Sequence, residues 1–218
     1  MFVGHYGAAF LIKKKQPFVP LFALFLAVQW VDILFFIFCL FGIEDFDIVP
    51  NYTQSTHFHL TFMPYTHSLL GSALWAVGVW ILMKAIGKST YAWAMAIGVL
   101  SHWFLDLPVH TPDLPLWSND SPMFGFGLWN NRLLTLALES VLLLGSYWWC
   151  YGKSIPQKGG FLHKYGMLSF VIFMILINVV NLFGPPPPFK IGLCFLSLFL
   201  YLGFPWLAGY FERKLEIE

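Results

Sequence analysis

Charge is scarce in this chain. Asp, Glu, Lys and Arg make up 11% of its 218 residues against 58% hydrophobic, and the net charge at pH 7 is +1. No basic surface is available from that inventory, so nucleic acid is excluded as a partner. Cysteine is nearly absent too. Cys39, Cys150 and Cys194 are odd in number, scattered and set in apolar runs, which excludes a disulfide framework and a zinc–thiolate motif. No basic region precedes the first apolar stretch, 2–12, and no small-residue site ends it, so no cleavable signal peptide is expected. Internal repeats and low-complexity segments are missing as well. The reading is of one integral membrane domain over residues 1–218.

What is plentiful is apolar surface. Mean hydropathy is +0.69, and aromatics reach 20%, including 24 Phe and 10 Trp, as expected where rings meet lipid and its interfaces. A membrane helix needs about 20 mostly apolar residues. Stretches near 18–42, 67–87, 90–108, 132–151, 164–183 and 190–211 qualify, and Pro185 to Pro188 separate the last two. The expected fold class is therefore all-α: a polytopic membrane helix bundle of about six transmembrane helices, with a short N-terminal re-entrant or interfacial helix.

Basic residues set the expected orientation. Lys13, Lys14, Lys15, Lys84, Lys88, Lys153, Lys158, Lys164, Arg213 and Lys214 alternate onto one side, leaving Arg132 and Lys190 on the other. Both termini are then cytoplasmic, and the loops at 43–66 and 109–131 face outward.

Against this background the ionisable residues inside the apolar runs stand out, because such groups are costly in hydrocarbon and persist when paired, metal-bound or functional. At about 1.5 Å per helical residue, Asp32, His102 and Glu139 each lie roughly 18–20 Å above the cytoplasmic face. His67 opens its span from outside. His102 and Asp106 stand at i, i+4 on one helix face, and His110 continues the step beyond Pro108. His5 reaches roughly 12 Å upward, near the midplane, if 2–12 is re-entrant, and is a flexible terminal residue if it is not. Imidazole and carboxylate suit zinc, and equally manganese or iron.

Blander readings stand beside the sharp ones. His102 and Asp106 could be a hydrogen-bonded pair joining two helices. His67 could be an interfacial residue with Thr66 as helix cap. Asp32 could be a neutral acid donating to a carbonyl. Glu139 is either an acid–base or supporting group, or the partner of Arg132 two turns away. His57, His59 and His163 read as surface residues, and Asn51 and Asn119 as glycosylation acceptors.

At these residues the chain resembles the membrane-bound metal-dependent hydrolases, a group that includes LexA-regulated bacterial inner-membrane proteins. Gly4-His5-Tyr6-Gly7, Trp30-Val31-Asp32, Thr66-His67-Ser68-Leu69 and Ser101-His102-Trp103-Phe104-Leu105-Asp106 look like that family's successive elements. It departs at Leu34 and Phe62, where many members carry a further Asp and His. One metal ion rather than a multinuclear centre is the expectation that follows.

The resemblance implies a hydrolase of the bacterial inner membrane. By that resemblance His5, His67, His102 and Asp106 would hold a divalent ion, zinc by preference, and Asp32 would complete the ligand set or accept the proton of a bound water. By spacing and depth alone, His110 joins the candidate metal ligands, and Glu139, which has no counterpart in the family's elements, joins Asp32 as a candidate catalytic carboxylate. A recessed site in the outer half of the bilayer favours a lipid-like or lipid-linked ester or phosphoester as substrate. Two alternatives share these residues: a multi-pass transporter or permease with an intramembrane His/Asp proton or metal site, and a haem protein ligated by His67 and His102.

Overall fold

The computed structural model describes residues 1–152 and 160–216, so Lys153 and Lys158, used above for orientation, lie outside the described residues. The first helix, α1 (His5–Lys15), is followed by α2 (Leu21–Val28) and α3 (Trp30–Leu40). A hairpin of β1 (Asp45–Ile48) and β2 (Phe58–Phe62) precedes α4 (Leu69–Ala85) and α5 (Ala92–Asp106). A smaller hairpin, β3 (Leu114–Pro115) with β4 (Met123–Phe124), leads to α6 (Arg132–Tyr151), α7 (Phe161–Phe183) and α8 (Lys190–Glu216).

The architecture is mostly helical, but three expectations are corrected. First, among the described residues only α6, α7 and α8 are long and apolar enough to cross a membrane as single helices. The stretch expected as one span at 18–42 is broken into α2 and α3, bent by 54° at Gln29. Gln29 is fully buried, and its amide Nε2 donates to Asp32 Oδ2 at 2.9 Å. A side-chain bond at the break thus turns Asp32 into the first turn of α3.

Second, α4 and α5 are short, with 17 and 15 residues. At 1.5 Å per residue they reach about 26 and 23 Å, less than a hydrocarbon core of about 30 Å. Local chemistry trims them. Ser68, not Thr66, caps α4 by accepting from Gly71 N at 2.8 Å, and Pro108 follows the end of α5. His67 and His110 therefore sit in irregular backbone just beyond helix ends, buried against protein.

Third, the two connections expected to be plain loops carry antiparallel strand pairs. In the first, Phe46 and Leu60 face one another across the ladder and are buried while Asp45 and Asp47 are exposed, the alternation of a half-buried hairpin. His57, expected at the surface, is buried. It accepts from Asn51 N at 2.9 Å and donates to Gly184 O at 3.1 Å, pinning the hairpin loop to the end of α7. Asn119 spends its amide on Thr61 O at 2.9 Å, which joins the two hairpins and disagrees with a free acceptor for glycan. His59 stacks on Tyr52, and His163 lies half-buried in the first turn of α7.

The core is organised around α1. Tyr6, Ala9 and Phe10 are inaccessible, packed with Phe25 of α2 and Tyr147 of α6. Lys13 turns inward instead of lying at an interface. Its ammonium meets Glu212 Oε1 of α8 at 2.5 Å and the carbonyl of Val19 at 3.1 Å. Such a buried cation is tolerated only when paired and hydrogen-bonded. The result places His5, at the start of α1, deep in the molecule.

Candidate metal centre

His102 projects from the last turns of α5, fully buried. Its Nδ1 donates to Val28 O at 2.8 Å, a carbonyl exposed by the end of α2. The lone pair of the ring is thereby fixed on Nε2, which lies 3.2 Å from Asp106 Oδ2 and 3.5 Å from Asp32 Oδ1. His67 is oriented in the same way. Thr66 Oγ1 donates to Glu44 Oε2 at 2.6 Å and so accepts from His67 Nδ1 at 2.9 Å. That leaves His67 Nε2 3.2 Å from Asp32 Oδ1. His110 repeats the arrangement, with Nδ1 on Asp113 Oδ1 at 2.8 Å and Nε2 3.6 Å from Asp106 Oδ1.

His5 completes the cluster from α1. Its ring lies parallel to that of His102, centroids 3.8 Å apart, with Nε2 3.1 Å from Asp106 Oδ1. The amino group of Met1 also contacts Asp106. Glu139 of α6 accepts from the backbone N–H groups of Phe2 and Gly4 at 2.9 and 3.0 Å, holding the turn that delivers His5. Arg132, the partner in one of the two readings of Glu139, lies over Phe183 and donates to Gln54 O. Of the two readings, the supporting role is the one whose contacts are seen.

Do these groups fit an ion? Two sets of three, His5–His102–Asp106 and Asp32–His67–His102, place their ligand atoms within 4.8 Å of one another. Around an ion bonded at about 2.1 Å, neighbouring ligand atoms stand about 3.0 Å apart at right angles and about 3.4 Å apart at tetrahedral angles. The observed separations of 3.1, 3.2 and 3.5 Å fall on those edges. His102 Nε2 and Asp106 Oδ2 are buried without a hydrogen-bond partner among the described residues. The two atoms face one another at 3.2 Å, and such a buried nitrogen–carboxylate contact is satisfied by a positive charge shared between them, a proton on Nε2 or a bound cation. Both sets share the one usable nitrogen of His102, so the arrangement suits one ion rather than two. The buried His/Asp group can hold a metal ion.

All seven residues singled out from the sequence converge here: His5, Asp32, His67, His102, Asp106, His110 and Glu139. The positions where further ligands were expected to be missing hold Leu34 and Phe62, the latter 39% exposed against Tyr65. Glu44, Gln29 and the Val28 carbonyl were not found from the sequence. Glu44 is buried, and burial pushes its carboxyl up in pKa against the opposing donations from Thr66 and Tyr65.

Beside the cluster opens a cavity of roughly 190 Å³, reached by Asp32, His67, Asp106, His110 and Glu139 at one end. The rest of its lining is largely apolar, with Phe35 and Phe36 of α3, Phe58 and Leu60 of the hairpin, and side chains of α7 and α8. No protein-family model, curated protein or solved structure matches the chain.

Proposed function

We propose that the protein is a membrane-embedded, metal-dependent hydrolase whose ion is held by His5, His67, His102, Asp106 and Asp32, with His110 beside them. One observation carries this reading. Three imidazoles have their Nδ1 hydrogens taken up by Thr66, Val28 O and Asp113, and all three turn Nε2 lone pairs toward Asp32 and Asp106. Such outer partners orient and strengthen metal-ligating histidines. Nitrogen and carboxylate donors suit zinc. A divalent ion in this position supplies Lewis acidity and lowers the pKa of water toward about 7.

The chain's own residues supply the rest. Gln29 holds Asp32 in place, and Glu139, lining the cavity next to Asp106, accepts the proton released by the attacking water. The apolar lining of the cavity takes the lipid-like part of the substrate. Val180 of α7 and Leu196 of α8 line it while remaining 67% and 57% exposed on the outer face, so entry runs sideways between these helices. In this reading α2–α3 count as one bent span and α4 and α5 as short ones. That gives six crossings of a bacterial inner membrane, with the site in the outer half and the C-terminus cytoplasmic. The resemblance at the His5, Asp32, His67 and His102 segments supports the same assignment.

Elemental analysis of detergent-purified protein tests it. Wild type is expected to carry close to one divalent ion per chain, and His102→Ala and Asp106→Ala to lose both the ion and ester hydrolysis. Full occupancy in both variants would overturn the site. Metal-free wild type that moves protons in vesicles would favour a permease.

A further inference from the structure

The charge balance of the cavity bears on which bond is cut. Three carboxylates, Asp32, Asp106 and Glu139, line its polar end. Among the described residues no Lys or Arg side chain lines it. Besides the imidazoles of His67 and His110, the cationic group among the described lining residues is the Met1 amino group, held by Asp106. The nearest outer cations are committed elsewhere: Lys190 to Asp45 at 2.6 Å and to Asp47 at 3.7 Å, Arg132 to Gln54 O and the face of Phe183. The remaining polar lining, including Ser55, Thr56, Asn181, Ser197 and Tyr201, is uncharged.

A phosphoester brings at least one negative charge in its ground state and gains another as water attacks. Sites for such substrates supply fixed cations or several metal ions to meet that charge. Here one divalent ion together with the Met1 ammonium would already be offset by Asp32, Asp106 and Glu139, which leaves no surplus positive charge for an incoming anion. Like charges brought together in a desolvated site repel strongly. A carboxylic ester or amide is neutral before attack and develops a single negative charge. On the assignment made under Proposed function, we infer that the substrate is an uncharged acyl ester or amide of a single-chain amphiphile. Its chain would lie among Phe35, Phe58 and Leu200, and its carbonyl at the polar end.

The reaction balances with water alone. Water adds to the acyl carbon, its proton passes to Glu139, the bond to the alcohol or amine breaks, and that proton leaves with the departing oxygen or nitrogen. The products are a carboxylic acid, which releases its remaining proton to water to become a carboxylate, and a neutral alcohol or an amine.

Two matched probes isolate the charge: para-nitrophenyl dodecanoate and dodecyl para-nitrophenyl phosphate, which share chain length and leaving group. Metal-loaded wild type in neutral-lipid vesicles is expected to hydrolyse the first at least about tenfold faster than the second, given the cost of like-charge juxtaposition. Binding is read separately by thermal shift with dodecan-2-one and dodecyl phosphate. The ketone should stabilise the protein and the phosphate should not. Asn181→Lys, at an exposed position on the lining, should restore a shift with dodecyl phosphate. Equal or faster cleavage of the phosphate overturns the inference and leaves the hydrolase standing, as does binding of dodecyl phosphate by wild type. Neither probe cleaved nor bound by protein carrying its ion also overturns it, whereas protein that takes up no ion fails the earlier reading instead.

Discussion

At the scale of single residues, the centre depends on atoms that never touch the ion position. Thr66 shows this best. Its hydroxyl hydrogen goes to Glu44, which leaves its oxygen to receive the Nδ1 hydrogen of His67. Thr66→Val removes both bonds while keeping the shape of the side chain. Loss of such an outer partner costs roughly 10–100-fold in metal affinity, and a chelator-competition titration should show a drop of that size. Thr66→Ser should restore it. A wild-type affinity in Thr66→Val would mean that His67 is held by packing alone. The candidate ligands themselves were legible in the sequence because imidazoles and carboxylates are conspicuous inside apolar runs. Their partners were not. A backbone carbonyl such as that of Val28 leaves no mark in a sequence, and Glu44 lies 22 residues from Thr66 across a hairpin whose pairing could not be read.

At the scale of elements, α1 decides whether His5 arrives. Its approach to α6 depends on Gly7: a Cβ there would stand 2.9 Å from Leu142 O and 3.1 Å from Leu142 C, both backbone atoms with no rotamer to adopt. Gly7→Ala should therefore push α1 off α6, destabilising by about 1–3 kcal/mol, the usual cost of overpacking. Lower ion occupancy should accompany the lower melting temperature as His5 is drawn away. Unchanged occupancy would show that His5 is dispensable. The other end of α1 is tied by Lys13 to Glu212. Lys13→Met should cost about 3–5 kcal/mol, the penalty for removing one partner of a buried ion pair. Lys13→Met combined with Glu212→Leu should recover part of that loss in thermal unfolding. Hydropathy could not reveal these contacts. It located every apolar segment, yet read α2 and α3 as one straight span because no Pro or Gly marks the bend at Gln29. It also missed both hairpins, since strands of two to five residues carry little periodic signal.

At the scale of the whole molecule, the candidate ligands arrive from α1, α3, α5 and the segments flanking α4 and α5, joining residues 5 to 110 of the chain. An ion that binds only when all of them are assembled stabilises the assembled state. At a thousand times its Kd that stabilisation is about 4 kcal/mol. For a chain of this length 1 kcal/mol corresponds to about 2–4 °C, so complete chelation of wild type should lower the melting temperature by about 8–16 °C. His102→Ala, lacking the shared nitrogen, should melt at one temperature with or without chelator. The comparison separates two roles that a loss of activity would confuse. If chelated wild type melts at its original temperature, α1 is held by its apolar contacts and by the Lys13–Glu212 pair, and the ion is needed for chemistry alone. If it falls to the temperature of His102→Ala, the ion also holds the α1 turn against the rest of the fold. The second outcome is the one expected, because Asp106 Oδ2 and His102 Nε2, beside the stacked His5 and His102 rings, make no hydrogen bond among the described residues.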